Sequence, residues 1–201
     1  MGAMAFIVVL SNFLVQFPVE ASLGGLNLAD LLTWGAFTYP AAFLITDLTN
    51  SRFGTGGARR VVLVGFVVAV GLSFWLATPR IAIASGTAFF MAQMLDVSVF
   101  DRLRGGIWWR GPLVSSVLGS ILDTMLFFSL AFGASFSMLG SVDGFVGEMS
   151  PLLGIMEFEA PRWVSWAMGD FAVKMLVALA MLVPYGILRH KIGSRAVSVS
   201  S

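Results

Sequence analysis

Long apolar runs separated by short polar segments make up almost the whole chain. Six of these runs are long enough for membrane-spanning helices, which need about 20 predominantly apolar residues each. They cover residues 2–18, 31–50, 61–79, 81–100, 112–139 and 164–188. The pattern predicts an all-α, polytopic membrane protein. Residues 1–192 are predicted to form a single six-helix transmembrane domain, and residues 193–201 a disordered cytoplasmic tail.

Composition favours a membrane protein over a soluble one. Hydrophobic residues make up 58% of the 201 residues and charged residues 11%, whereas soluble domains contain about 25% charged residues. There is no Cys and a single His, His190, which excludes disulfides and thiolate metal sites and leaves little for a His-based catalytic centre. We therefore expect no cofactor, no metal and no catalytic residue. The net charge of +1 gives no reason to expect nucleic acid binding, and no cleavable signal peptide is evident.

Lys and Arg concentrate in the segments that join the predicted spans on one side. Residues 51–60, residues 101–111 and the C-terminal tail carry three each, and the opposite side has only Arg80 and Arg162. Basic loops remain in the cytoplasm. We therefore expect a multi-pass protein of the bacterial inner membrane with both termini cytoplasmic and the acidic segment 140–163 outside.

Polar side chains that lipid would reject occur on five of the six predicted spans. On each of these spans they recur at helical spacing and therefore share one face. Because polar groups within a membrane must be satisfied inside the protein, we expect these faces to converge on one substrate-binding pocket. The predicted pocket residues are Asn12, Gln16, Phe43, Asp47, Asn50, Phe89, Gln93, Asp96, Asp123, Asp170 and Lys174.

Amides, carboxylates and aromatic rings together suit a planar solute with hydrogen-bonding edges, such as a purine-like base. A carboxylate accepts hydrogen bonds from N–H groups, an amide pairs with a carbonyl oxygen, and an aromatic ring stacks on the base. Asp123 gives the strongest signal. It lies about eleven residues into its span, far from either membrane interface.

Structural roles compete with binding roles at most of these positions. The two amides of the first span are equally explained as helix–helix contacts. Asp170 and Lys174, one helical turn apart, are equally explained as a structural ion pair. Asp47 would pair with Arg52 at the end of its helix, and Asp96 would pair with Arg102 or Arg104 in the same way.

Several function classes remain open on these features alone. A transporter fits the polar faces directly, and so does a binding subunit that depends on a separate ATPase module. The chain itself has no nucleotide-binding motif. An intramembrane enzyme is disfavoured because the spans contain no His. A membrane scaffold is disfavoured because helix pairing needs small or hydroxyl residues and not several buried carboxylates.

Four motifs follow one another along the chain: SNFLVQFP at 11–18, YPAAFLITDLTNSRFG at 39–54, AQMLDVSVFDRLR at 92–104 and SSVLGSILDTMLFF at 115–128. In this combination the chain resembles the queuosine precursor transporter family, also called the vitamin uptake transporter family. Many relatives begin with a longer N-terminal segment and carry an acidic residue where Ser51 stands.

The resemblance implies an importer of 7-deazaguanine queuosine precursors, such as 7-cyano-7-deazaguanine and 7-aminomethyl-7-deazaguanine. The implied fold is similar to the substrate-binding subunits of energy-coupling-factor transporters. The expected partners are this deazapurine and the lipid bilayer. In the alternative, a cytoplasmic ATPase module is a further partner, and the substrate is the same or another small heterocycle.

Overall fold

Helices dominate the structure, a computed structural model that describes residues 1–23 and 26–197. The α-helices are α1 (Gly2–Leu14), α2 (Gly35–Thr38), α3 (Ala41–Leu76), α4 (Pro79–Leu103), α5 (Arg110–Phe132), α6 (Gly144–Gly147) and α7 (Arg162–Val197). Short 3-10 helices cover Leu28–Asp30, Ala134–Leu139 and Leu152–Gly154. Two antiparallel hairpins pair β1 (Ser22–Leu23) with β2 (Leu26–Asn27) and β3 (Met149–Pro151) with β4 (Glu159–Pro161).

Four helical stretches in the described parts of the chain are long and apolar enough to cross a membrane. They are Gly35–Leu76, Pro79–Leu103, Arg110–Phe132 and Arg162–Arg189. Helix α1 is also apolar but has only 13 residues. The prediction of an all-α, multi-pass membrane protein is confirmed, with four long apolar helical stretches where the sequence pattern predicted six spans.

The stretch from Gly35 to Leu76 differs most from the predicted pattern. Residues 51–60, expected as a loop between two spans, are helical on both sides of Gly54 and belong to α3. A straight helix of 42 residues would be about 63 Å long, twice the thickness of the hydrocarbon core. Helix α3 instead breaks at Gly54, where φ is 71° and ψ is −177°. Only glycine adopts this conformation without strain.

The half of α3 before this break runs parallel to α4. The Thr46 hydroxyl lies 2.6 Å from Gln93 Oε1. One turn later, Asn50 Nδ2 donates to the Val97 carbonyl at 3.0 Å. The residue numbers on both helices therefore increase in the same direction.

The half of α3 after the break runs antiparallel to α4. Gly65 lies against the ring of Phe89, and Val70 lies against Gly86. Residue numbers now increase along α3 as they decrease along α4. Both halves of α3 contact nearly the same part of α4. The chain therefore reverses direction at Gly54, and the two halves of α3 lie side by side.

Helix α5 is antiparallel to its two neighbours α4 and α7. At one end of α5, Gly111 lies against Phe100 of α4. At the other end, the ring centroid of Phe132 lies 5.8 Å from that of Trp166 in the first turns of α7. Helix α5 ends at Phe132, earlier than the predicted span 112–139. Helix α7 continues to Val197, inside the predicted tail, and residues 198–201 lie outside the described residues.

The Arg-rich segments meet at one end of the bundle, which we call the basic end. It comprises the break at Gly54, the connection between α4 and α5, and the end of α7 near Arg189. Its basic residues in the described side chains include Arg52, Arg59, Arg60, Arg102, Arg104, Arg110 and Arg189. The opposite end is formed by residues 26–34, 77–80 and 133–161.

Arg80 ties the start of α4 to the end of α5. Its side chain is 3% exposed. Its Nε donates to the Leu130 carbonyl at 2.9 Å, Nη1 to the Gly140 carbonyl at 2.8 Å and Nη2 to the Gly133 carbonyl at 2.7 Å. The last carbonyls of a helix have no partner within the helix. Arg80 supplies partners at the end of α5.

Replacing Arg80 with Met should destabilise the protein strongly, because a buried carbonyl without a donor costs about 1–3 kcal/mol. The measurement is thermal unfolding of the purified protein in detergent. Arg59→Gln, at an exposed position of α3, is the control and should change stability by no more than about 0.5 kcal/mol. Equal melting temperatures for Arg80→Met and the parent would show that the three hydrogen bonds do not hold this end of α5.

Candidate functional site

A cavity of about 930 Å³ opens at the end of the bundle opposite the basic end. Its walls come from α1, both ends of the Gly35–Leu76 stretch, the first turns of α4 and α7, and the second half of α5. The segments around Asp30, Phe145 and Leu153 form its mouth. Small-molecule sites are commonly about 300–1,000 Å³, so the cavity is large enough for a bicyclic solute.

Three charged side chains form a cluster at the cavity wall. Lys174 Nζ of α7 lies 2.6 Å from Asp123 Oδ2 of α5 and 2.5 Å from Oδ2 of Asp170, one turn earlier on α7. The Thr124 hydroxyl donates to Asp170 Oδ2 at 2.9 Å. One ammonium group faces two carboxylates, so the cluster has a formal charge of −1. Asp170, with 18% of its side chain exposed against 6% for Asp123, is the carboxylate most open to the cavity.

The three charged groups of this cluster depend strongly on one another. Removing one member of a buried ion pair generally costs about 3–5 kcal/mol, because the other charge is left buried without a partner. The structural ion pair considered for Asp170 and Lys174 is present, and Asp123 joins it. The same carboxylates line the cavity, so the ion pair and a binding role are compatible.

Tyr39 links the charge cluster to the aromatic side chains beneath it. Its hydroxyl donates to Asp123 Oδ1 at 3.0 Å, and Lys174 Nζ lies 5.4 Å from its ring centroid. Its ring makes edge contacts with Phe43 and Phe89, at centroid distances of 6.4 and 6.0 Å. Phe43 and Phe89 are each 1% exposed. Together the three rings form an aromatic layer at the inner end of the cavity.

Gly119 allows the aromatic layer to pack against α5. A Cβ atom at this position would lie 2.8 Å from Phe43 Cε1 and 3.4 Å from the Ala92 carbonyl oxygen. A side chain here would displace the Phe43 ring. The position of the layer therefore depends on the absence of a side chain on α5 at this level.

A second aromatic surface forms one wall of the cavity. It consists of Phe127, Phe128 and Phe132 of α5 with Trp166 of α7. The rings of Phe127 and Phe132 lie 6.1 Å apart, at nearly a right angle. Sequence reasoning missed these residues and Tyr39. The signal was available, because Phe127 follows Asp123 by one helical turn and therefore shares its face.

The structure divides the predicted site residues between the cavity and deeper positions. The residues that line the cavity are Asn12, Gln16, Asp123, Asp170 and Lys174. Phe43 and Phe89 lie in the aromatic layer. The residues buried between that layer and the basic end, each at most 1% exposed, are Asp47, Asn50, Gln93 and Asp96. The polar faces expected to meet in one pocket thus form two groups separated by aromatic rings.

The two amides of α1 differ in their contacts. Asn12 Nδ2 donates to the Val8 carbonyl at 2.9 Å, and its Oδ1 accepts from the Ser73 hydroxyl of α3 at 3.2 Å. Asn12 therefore makes the helix–helix contact considered for it, while it also lines the cavity. Gln16 is exposed and lies at the cavity wall beyond the end of α1.

No metal site is evident in the side chains that the structure describes. Among the side chains of residues 1–22 and 27–189 there is no group of three or more His, Cys, Asp or Glu arranged to hold an ion. The chemistry available in the cavity is that of hydrogen bonding, charge and ring stacking.

Comparisons with known proteins agree with this architecture. The model of the family described as "Putative vitamin uptake transporter" matches residues 33–78 and 72–188. The chain is 33% identical to the queuosine precursor transporter of Escherichia coli (strain K12), over 92% of this chain and 82% of that protein.

Two further relatives carry similar names. The chain is 34% identical to the probable queuosine precursor transporter of Haemophilus influenzae (strain ATCC 51907 / DSM 11121 / KW20 / Rd), over 93% of this chain and 83% of the relative. It is 25% identical to the probable queuosine precursor transporter of Bacillus subtilis (strain 168), over 79% and 72% of the two chains. No solved structure is significantly similar to the chain.

Proposed function

This chain belongs to the vitamin uptake transporter family, and we propose that it imports 7-deazaguanine queuosine precursors across the bacterial inner membrane. The candidate substrates are 7-cyano-7-deazaguanine and 7-aminomethyl-7-deazaguanine. The observation that carries the proposal is its similarity, over 92% of the chain, to a queuosine precursor transporter. The cavity and its charge cluster support it. Enzymatic and scaffold functions are set aside, because the family and the named relatives are transporters.

The charge cluster suits the base edge of a deazaguanine. That edge presents adjacent N–H donors, which a carboxylate accepts in bidentate fashion. Asp170 is the more exposed carboxylate and Asp123 lies beside it, so both are placed to accept these donors. The amide of Gln16 at the cavity wall supplies a donor for a carbonyl oxygen. The aromatic wall around Phe132 supplies a surface for ring stacking.

A six-span topology fits the packing. The two halves of α3, reversed at Gly54, serve as separate spans, and α1 serves as the first span. With α4, α5 and α7 this makes six, as in the substrate-binding subunits of energy-coupling-factor transporters. The basic end then faces the cytoplasm, both termini are cytoplasmic, and the cavity opens to the outside.

Two versions of this function differ in their energy source. In the first, the chain transports its substrate alone. In the second, it is a binding subunit that needs a cytoplasmic ATPase module, which would dock at the basic end. Uptake with and without such a module distinguishes the two.

Uptake of the deazaguanine is the direct test. A bacterial strain that cannot make queuosine precursors should regain queuosine in its transfer RNA when fed 7-cyano-7-deazaguanine, provided that it expresses this chain. The expected result in a strain without any energy-coupling ATPase module is full recovery. Recovery only when such a module is added would favour the binding-subunit version. Failure under both conditions, with the protein present in the membrane, would remove the substrate assignment.

Reporter fusions should place both ends of the chain in the cytoplasm. A fusion after Ser201 should report the cytoplasm and an insertion at Gly144 the outside, because the Arg-rich segments converge at the end of the bundle away from Gly144. Enzyme reporters that are active on only one side of the membrane make the measurement. The same compartment for both positions would exclude the six-span arrangement.

Equilibrium binding to the purified protein should depend on Asp123. Asp123→Asn keeps the size of the side chain but removes one acceptor charge, and an unpaired buried group costs about 1–3 kcal/mol. The expected loss of affinity is roughly ten- to hundredfold. Asp143→Asn, the same change at an exposed position off the cavity, is the matched control and should bind like the parent.

Gln93→Ala tests the depth of the binding site. Gln93 lies behind the aromatic layer and does not line the cavity, so this variant should also retain affinity. Weak binding by Gln93→Ala together with normal binding by Asp123→Asn would move the binding site to the inner polar group.

A further inference from the structure

A pair of carboxyl groups lies between the aromatic layer and the basic end. Asp47 of α3 is 1% exposed and Asp96 of α4 is 0% exposed. The Thr46–Gln93 and Asn50–Val97 contacts bracket the two residues on their parallel helices, so both lie at nearly the same level of the bundle. The Ser115 hydroxyl of α5 lies 3.4 Å from Asp47 Oδ1, a long contact, and at the same distance from the Pro112 carbonyl. We call Asp47 and Asp96 the carboxyl pair.

No salt bridge among the described side chains, those of residues 1–22 and 27–189, involves Asp47 or Asp96. Arg104, considered as a partner for Asp96, pairs with Asp101 instead. Both carboxyl oxygens of Asp96 are buried and receive no hydrogen bond from a described donor. This is an unusual position for a charged group, because buried charges are normally paired.

A proton bound between the two carboxyl groups would account for their burial side by side. Two ionised carboxylates have acceptors only, so no hydrogen bond can join them. Two negative charges in contact inside a membrane would also repel each other without compensation. If one carboxyl group carries a proton, its O–H donates to the other, and one of the two unpartnered oxygens of Asp96 gains a partner.

The surroundings connect the carboxyl pair to the basic end. From α7, Tyr185 borders a void of about 10 Å³ that also touches Asp47. A space of about 10–15 Å³ is the minimum for one water molecule. Arg189 follows Tyr185 by one helical turn on α7, toward the basic end. On α3, Arg52 follows Asp47 toward the same end.

The other elements that face the carboxyl pair contribute uncharged groups. Ser115 and Ser116 lie on α5, and Gln93 and Asn50 precede and follow the pair on their own helices. Toward the cavity, Phe43 and Phe89 separate the carboxyl pair from the charge cluster of Asp123, Asp170 and Lys174. The rings thus separate the pair from the cavity, and a water-sized space lies beside Asp47 between α3, α5 and α7.

We propose that Asp47 and Asp96 form a proton-binding site that couples solute import to proton movement. The proposal rests on the proposed transport function. A solute that leaves the cavity for the basic end must pass Phe43 and Phe89, and so must alter the surroundings of the pair directly behind them. One proton reaches the pair from the cavity side as the solute displaces Phe43 and Phe89 and forms an O–H bond with one carboxylate. It is released to water at the basic end as that O–H bond breaks and a new O–H bond to water forms. Nothing is oxidised or reduced.

Infrared spectroscopy of the purified, precursor-free protein tests the shared proton. At pH 7, where exposed carboxyl groups are ionised, the parent should show the C=O stretch of a protonated carboxyl group, which shifts in D₂O. Asp96→Asn and Asp47→Asn should each lose this band. Asp101→Asn, the same change on α4 at a residue paired with Arg104, is the matched control and should keep it. Asp96→Glu, which keeps a carboxyl group at this position, should also show the band.

The coupling itself is measured in proteoliposomes with 7-cyano-7-deazaguanine. One unit of pH, alkaline inside, should raise accumulation by the parent up to about tenfold if one proton moves with each solute. Asp96→Asn should still bind and exchange the solute but lose this response, while Asp101→Asn should keep it.

The two measurements separate failure of this inference from failure of the proposed function. No binding of the deazaguanine by the parent would overturn the transport function, and the infrared band would still decide whether the carboxyl pair holds a proton. A parent that binds and transports without responding to pH would overturn the coupling. So would a response to a sodium gradient in its place, or retention of the infrared band in both Asp47→Asn and Asp96→Asn.

Discussion

Burial of the Lys174 ammonium group between two carboxylates is the interaction on which the rest of the site depends. An isolated charge at this depth in a membrane is strongly disfavoured. Asp170, one turn earlier on α7, lies 2.5 Å from the ammonium group, and α5 must approach α7 closely enough for Asp123 to lie 2.6 Å from it. Once Asp123 is fixed, Tyr39 is fixed as well, because its hydroxyl donates to the same carboxylate. The ion cluster therefore positions three helical segments and sets the depth at which the cavity ends.

Glycine residues determine how the aromatic layer packs at the inner end of the cavity. Gly119 of α5 and Gly65 of α3 have no side chain where Phe43 and Phe89 pack, and a Cβ atom would approach these rings to 2.8 and 2.9 Å. The reversal at Gly54 brings the second half of α3 back beside α4, so that Gly65 reaches Phe89 at all. The aromatic layer is thus a consequence of three glycines as much as of the rings themselves.

The sequence predicted the faces of the helices but not their relative heights. Helical spacing and hydropathy were enough to place Asp123, Asp170 and Lys174 inside the protein, since a polar group in an apolar span has few other environments. The position of one helix along the axis of its neighbour depends on side-chain packing, and the periodicity of the sequence does not encode this position. Gln93 therefore seemed a neighbour of Asp123, although Phe43 and Phe89 lie between them. Tyr39 was missed because the sequence around it does not indicate a partner for its hydroxyl; only the fold shows that the hydroxyl donates to Asp123.

Tyr39 belongs to both the charge cluster and the aromatic layer, and this gives the site a way to respond to its solute. The hydroxyl holds the ring in its place by donating to Asp123 at 3.0 Å, while the ring edges hold Phe43 and Phe89. A solute whose N–H groups occupy Asp123 competes with that single hydrogen bond. Binding would then loosen the ring that closes the inner end of the cavity. Only a solute with N–H groups that pair with Asp123 would loosen the Tyr39 ring. A ligand shifts a conformational equilibrium only through contacts that differ between the two conformations.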